Sequence, residues 1–262
     1  MEVNKVYQMD VIEFLKNLED NSVDLIIADP PYNLNKSSWD KFESNQEYFE
    51  FMYSWLDLAV KKLKDTASIY LFNNSYNSAF ILVYLINKGM LFKNNIIWYK
   101  KDGFSPSKKK YVNNQETITF LTKSNKYTFN YNDIRTEYLS KKRLFNAKNK
   151  GIIKNGKRWT PNPNGKLCTD IWEIPSVRLT NKVNGKVVKT NHPTPKPKTM
   201  IERIIKASSN PGDLVLDLFS GSGVTSFVAK ELNRNFIGCE LDSEYVMKIN
   251  IKLLDLNKQQ QK

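Results

Sequence analysis

Two short stretches of this 262-residue chain carry residue types that could do chemistry. In the first, "IIADPPYNL", three apolar residues run into Asp29, Pro30, Pro31 and Tyr32. A strand needs one breaker to end, and here there are two. Each proline fixes φ and removes an N–H donor, so the turn cannot join a ladder and its carbonyls stay free to accept hydrogen bonds. Asp29 adds a further acceptor and Tyr32 a flat apolar face. An exocyclic amine on a flat ring meets all three features, with its two N–H groups taken by a carboxylate and a prolyl carbonyl and its ring stacked on tyrosine. A rigid strand exit with a buried tyrosine is the bland alternative.

The second stretch, "DLVLDLFSGSGVTSFVAKEL", reads as a strand ending at Asp217, a turn at Gly221 and Gly223, and a helix from about Val224. Glycine admits positive φ and close approach of a ligand, and the helix N-terminus presents unpaired N–H groups. A dinucleotide fingerprint wants a third glycine where Ser226 stands, which weakens a nicotinamide reading. About 20 residues on, "FIGCE" puts Glu240 at the end of the next strand, where a carboxylate can hold ribose hydroxyls.

The elements that must position these groups follow from apolar patterning. "VDLIIADPP", "ASIYLFNN", "NNIIWYK", "DLVLDLF" and "NFIGCE" read as short buried strands, the first four as parallel ones. Between them "QEYFEFMYSWLDLAVKKL", "NSAFILVYLINKG", "PKTMIERIIKAS" and "GVTSFVAKELN" carry apolar residues at three- and four-residue spacing, as helices do. The alternation implies an α/β doubly wound, mostly parallel sheet. "QETITFLTKSNKYTFNY" reads instead as an antiparallel hairpin turning at Ser124 to Lys126. "SWDKFESNQEYFEFMYSWL" could be core or a dimer surface, and core is the better reading.

Charge is unevenly spread. The chain holds 40 Lys and Arg against 27 Asp and Glu, a net +13. The stretch 134–198 alone has 16 of the cations and three acids, so the remainder is neutral. Such a block suggests a polyanionic partner. From about 134 to 191 the text is rich in Asn, Gly, Lys and Pro and has little periodicity, yet Trp159, Ile171, Trp172 and Ile174 favour a partly ordered insertion over a linker. The N-terminus lacks signal-peptide features and no apolar run approaches a membrane span, so a cytoplasmic location and no membrane partner are expected. Cys168, Cys239 and a single histidine, His192, make neither a disulfide framework nor a metal site, and no metal is expected.

"DPPYNL" early, then "NHPTPKP" beside "IERIIKASSNPGDLVLDLFSGSG", then "FIGCE", resemble in kind and in order the β-group of S-adenosylmethionine-dependent DNA amino-methyltransferases, above all the MboII-type adenine enzymes of restriction systems. The resemblance spans nearly the whole chain. It implies a circularly permuted Rossmann-like methyltransferase fold, with residues 1–133 and 192–262 forming the catalytic domain and 134–191 a target-recognition insertion. It implies S-adenosyl-L-methionine as cofactor and base flipping in double-stranded DNA. Asp29, Pro30, Pro31 and Tyr32 then fall at the target base. Asp29, Asp217, Phe219, Ser220, Gly221, Ser222 and Gly223 fall around the cofactor, with Glu240 on its ribose and Thr194 and Lys196 closing over it. Asp10 matches an acid that contacts the cofactor's adenine, although it could equally cap the helix "VIEFLKNL". The resemblance gives His192 a structural place, not that of a general base. Transfer to adenine N6 is expected, because cytosine-N4 enzymes more often show serine in place of Asp29. Cytosine-N4 methylation stays as an alternative, RNA or protein-glutamine methylation as a weaker one, and a catalytically inactive nucleic-acid-binding subunit as one of another class. A cognate restriction endonuclease is an implied partner, and monomer or homodimer is left open.

Overall fold

A computed structural model describes residues 1–101, 108–177, 180–183, 186–189 and 195–260. In chain order the elements are β1 (Lys5–Gln8), α1 (Val11–Lys16), β2 (Val23–Ala28), α2 (Asn45–Lys62), β3 (Leu63–Asn73), α3 (Ser75–Asn87), β4 (Leu91–Tyr99) and β5 (Gln115–Thr122). Then come α4 (Lys141–Asn149), β6 (Ile152–Lys154), β7 (Lys157–Trp159), β8 (Ile171–Glu173), β9 (Thr180–Val183), β10 (Lys186–Lys189), α5 (Lys198–Ser208), β11 (Leu214–Asp217), α6 (Val224–Glu231), β12 (Asn235–Glu240) and α7 (Ser243–Gln260).

The run "VDLIIA" forms β2 with five of its six residues buried, because helices cover both faces of the sheet around it. Eight strands lie in the order β1-β12-β11-β2-β3-β5-β4-β8. The first five are mutually parallel, β5 is antiparallel to both its neighbours, and β8 runs parallel to β4. Alternate residues of β2 face opposite layers. Ile26 and Ala28 join Phe14, Met52, Trp55 and Leu85 from α1 to α3. Leu25 and Ile27 join Ile201, Ile205, Phe227 and Ile249 from α5 to α7. The doubly wound sheet expected from patterning is therefore present, and the α2 stretch contributes Tyr48, Met52, Trp55 and Leu56 to the core.

Parallel strands bring their carboxyl ends to one edge, where α/β proteins place ligands. Asp217 stands beside Ile27 of β2 and Gly238 of β12, and Glu240 stands beside Gln8 of β1. The turns after β1, β2, β11 and β12 thus share one rim. The reversed β5 delivers its first residues to that rim, since Thr117 pairs with Asn73 at the end of β3.

One expectation needs revision. The hairpin after β5 does not form: the turn near Ser124 is present, but residues 127–131 are not a strand. Their amides go elsewhere, Thr128 N donating to Thr66 O and Asn130 N to Ala207 O. The antiparallel partners of β5 are β3 and β4. The basic segment touches the sheet at one strand. It holds α4 and the small pairs β6–β7 and β9–β10, but its strand β8 extends the main sheet, with Trp172 and Ile174 buried and Trp98 Nε1 donating to Ile174 O at 2.7 Å.

Candidate active site

At the end of β2 the two prolines carry the chain out of the sheet, and Tyr32 folds back over Asp29. The Tyr32 hydroxyl donates to Asp29 Oδ1 at 2.9 Å and also lies 3.2 Å from Glu116 Oε2 on β5. Between the two carboxylates sits the Lys196 ammonium, 2.7 Å from Asp29 Oδ1 and 3.3 Å from Glu116 Oε2, while Lys100 pairs with the other Glu116 oxygen. Lys196 is 8 % exposed. Two acids and two cations therefore balance in a small volume, the condition under which buried charges persist.

The electrostatics follow from that balance. Burial would raise the Glu116 carboxyl, but Lys196 and Lys100 pull it down to about 2. Burial would lower Lys196, and Asp29 and Glu116 more than offset it, so the ammonium is held charged. The Tyr32 phenol is pushed well above its ordinary value by burial, then by the charges of Asp29 and Glu116, and stays neutral.

The glycine turn forms the other end. Gly221 and Gly223 have φ of 47° and 76°, the left-handed region that glycine enters without strain. Gly221 N donates to Glu240 Oε2 at 2.7 Å, Ser220 N to Cys239 O at 3.0 Å and Gly223 N to Ser220 O at 2.7 Å. A Cβ on Gly238 would come within 2.5 Å of Ser220 Oγ, so this strand position is glycine to let the turn settle on β12. Phe219 packs edge-on against Trp55. Asp10 caps α1, its Oδ1 accepting from Ile12 N and Glu13 N, and it also reaches the cavity wall. Both readings of Asp10 are thus compatible with its position.

A cavity of about 490 Å³ joins the two ends. Its wall includes Asp10, Asp29, Pro30, Pro31, Tyr32, Lys196, Asp217, Phe219, Ser220, Gly221, Ser222 and Glu240. Gly223 lies behind it against Ile249, and Thr194, like His192, falls outside the described residues. Lys196 reaches the wall at the Asp29 end, not at the glycine turn. Glu116, Lys100 and the buried Asp40 are additions that the sequence did not single out.

The glycine end is acidic. Burial first, then the charge of Glu240, pushes the Asp217 carboxyl up to about 7, against hydrogen bonds from the Phe219 backbone and the Thr225 hydroxyl. Asp29 contributes to the same upward shift, so the two ends feel each other's charge. Burial, Asp217, Glu240 and Asp10 together push the Cys239 thiol well up. A partly open cavity of nucleoside size walled by under-compensated carboxylates suits a ligand with cationic groups and ribose hydroxyls, and S-adenosylmethionine has a sulfonium, an ammonium and a ribose.

The family model described as DNA methylase, N6_N4_Mtase, matches residues 23–251. The chain is 52% identical over 98% of its length to the type II methyltransferase M1.MboII of Moraxella bovis, covering 98% of that protein. It is 34% identical over 97% of its length to the DNA adenine methyltransferase YhdJ of Escherichia coli strain K12, covering 84% of it. Among solved structures it is similar to M1.HpyAVI in complex with S-adenosylmethionine, with a TM-score of 0.63, 26% identity, and coverage of 95% of this chain and 98% of that one. The PvuII cytosine-N4-specific methyltransferase shares the fold with a TM-score of 0.69 at 20% identity, covering 92% of this chain and 83% of its own. With the turn at Asp29 to Tyr32, the glycine turn and the acidic strand end facing one cavity, and with these matches across nearly its full length, the chain belongs to the N6_N4 DNA methylase family, S-adenosylmethionine-dependent enzymes that act on DNA.

Proposed function

We propose that the protein methylates the exocyclic N6 amine of adenine in a specific duplex DNA sequence. The observation that carries this reading is the state of Asp29. Both of its described side-chain contacts, from Lys196 and from Tyr32, fall on Oδ1, which leaves Oδ2 to accept an N–H of the incoming amine while the Pro30 carbonyl accepts the other. Two acceptors on one amine favour a pyramidal nitrogen whose lone pair is withdrawn from the ring and available for attack. S-adenosylmethionine, when bound, would supply the electrophilic methyl group with its thioether as leaving group, and the methylated amine gives up one N–H proton. Asp217, Phe219, Ser220, Gly221 and Ser222 would hold its methionine part and Glu240 its ribose, so that donor and amine share the cavity and proximity supplies much of the acceleration.

A duplex adenine cannot reach this cavity in the stack, so the base is flipped, at a cost of a few kcal/mol that stacking on Tyr32 partly offsets. The +13 block at 134–198 supports a target-recognition role for residues 134–191 against phosphates and base edges. The neighbouring placement of β2 and β11, far apart in the chain, supports a circularly permuted order. The aspartate of "DPPY" and the likeness to YhdJ favour adenine over cytosine. The likeness to M1.MboII favours membership of a restriction-modification system, with a cognate endonuclease acting on the same site, and a DNA substrate favours a cytoplasmic location. The test is transfer from labelled S-adenosylmethionine to duplex DNA followed by nucleoside analysis. Label in N6-methyladenine is expected; label in N4-methylcytosine, or none on DNA, overturns the reading.

A further inference from the structure

Asp40 lies at the cavity wall and is 2 % exposed, and among the described residues no cationic group is a hydrogen-bond partner of its carboxylate. Its carboxylate is held instead by four backbone amides. Oδ1 accepts from Tyr32 N at 2.7 Å and Asn33 N at 2.8 Å; Oδ2 accepts from Leu34 N at 3.1 Å and Lys36 N at 3.2 Å. The missing amide in that series, Asn35 N, donates to the Asp40 backbone carbonyl at 3.1 Å. Every amide from residue 32 to 36 therefore converges on one residue. That convergence needs backbone that most side chains avoid: Asn33 and Asn35 have φ of 58° and 55°, where asparagine is among the better tolerated residues.

The wrapped loop begins at Tyr32. Its N–H is held by Asp40, its carbonyl accepts from Asn77 Nδ2 at 2.9 Å, and its hydroxyl donates to Asp29. The far side of the loop carries Lys36 and Trp39 to the cavity wall. A carboxylate that already accepts four N–H groups has little capacity left for a ligand, so its effect on a bound base passes through the loop.

We propose that Asp40 is a positioning residue for methyl transfer: by gathering the amides of residues 32–36 it fixes the Tyr32 ring and the cavity mouth in the arrangement that receives the flipped base. This rests on the reading that Tyr32 stacks the target adenine. Asparagine at position 40 keeps the shape but offers one acceptor oxygen and turns an N–H₂ group toward donors, so half of the wrap loses its acceptor.

The experiment compares Asp40→Asn and Asp40→Ser with Asp29→Ala on a duplex that the wild type methylates, with 2-aminopurine at the methylated position for the flipping readout. For Asp40→Asn, kcat is expected to fall about 100-fold, the order produced by a displacement of about 1 Å. Cofactor affinity should stay within about twofold by the same reasoning of locality. The 2-aminopurine emission rise should shrink, and amides 32–36 should exchange faster with solvent. Wild-type kcat and emission in both Asp40 variants would overturn the proposal. So would loss of cofactor binding and of the melting transition in both, since Asp40 would then support the fold and not the loop. An active Asp29→Ala enzyme would instead sink the underlying assignment of the base site, whatever the Asp40 variants do.

Discussion

The Lys196 ammonium lies 2.7 Å from the Asp29 carboxylate, although the two residues are far apart in the sequence. Glu116 completes the contact from β5, and the cluster is neutral only if Lys100 is counted with it. Removing one charge should therefore unbalance the rest.

Glu116 gives the clearest readout of that balance in stability. Its carboxyl is held at about 2, below the ordinary 4.5, so its contribution is complete above about pH 4.5 and is lost as pH falls toward 2. The size is about 3 kcal/mol from the shift alone. Urea unfolding at several pH values should show Glu116→Gln destabilised near neutrality and less sensitive to acid than the wild type. An unchanged slope would mean that Glu116 is not paired as described.

Asp217 has the opposite sign. Its folded value of about 7 lies above the ordinary 3.8, so the charge costs stability progressively as pH rises from 4 through 7. Without cofactor, Asp217→Asn should be the more stable protein at pH 8, by an upper bound on the order of 4 kcal/mol. A cationic ligand reverses the preference, because it favours the carboxylate. S-adenosylmethionine affinity measured by calorimetry should rise with pH up to about 7, by roughly tenfold per unit below it, with proton release on binding. In Asp217→Asn both the affinity and its pH dependence should drop.

Gly238 tests the glycine turn from behind. The Cβ of Gly238→Ala would meet Ser220 Oγ at 2.5 Å and Val6 Cγ2 at 3.2 Å, so the turn must shift. Cofactor affinity should fall by about tenfold or more, in line with an overpacking cost of roughly 1–3 kcal/mol, while DNA binding without cofactor is retained. Calorimetry with wild-type affinity would show that the turn is not seated as described.

The basic segment should reveal itself in salt. If about six of its cations meet phosphates, the logarithm of the DNA association constant should fall against the logarithm of salt concentration with a slope near −5. Fluorescence anisotropy of a labelled duplex measures it. A shallow slope would leave the block as a solvated surface.

Much of this site was legible because it sits where apolar runs stop abruptly. β2 and β11 end in "DPPY" and "FSGSG", and a buried strand followed by prolines or glycines marks its own end. Glu240 was legible by its distance from the glycine turn. Glu116, Lys100 and Asp40 were not, because their roles come from partners reached by folding: Glu116 from Lys196 and Tyr32, Asp40 from amides that look like any others in the text. Lys196 was found as a motif residue, yet nothing in the linear text pairs it with Asp29 and Glu116. The hairpin was misread for a related reason. "KYTFNY" alternates as a strand does, but Tyr127 and Phe129 pack around Phe120 while the intervening amides bond to Thr66 and Ala207.

The most direct test is Asp29→Ala, with cofactor affinity and methyl transfer measured on the same preparation. The cavity wall joins Asp29 to the glycine turn, yet the Asp29 carboxylate contacts Lys196 and Tyr32 and, on the proposed reading, meets the target amine. Transfer to duplex adenine should therefore vanish in single-turnover assays while the S-adenosylmethionine dissociation constant stays close to that of the wild type. Transfer at the wild-type rate would contradict the assignment of Asp29 to the reacting amine, and loss of cofactor binding with the fold intact would place Asp29 at the donor instead.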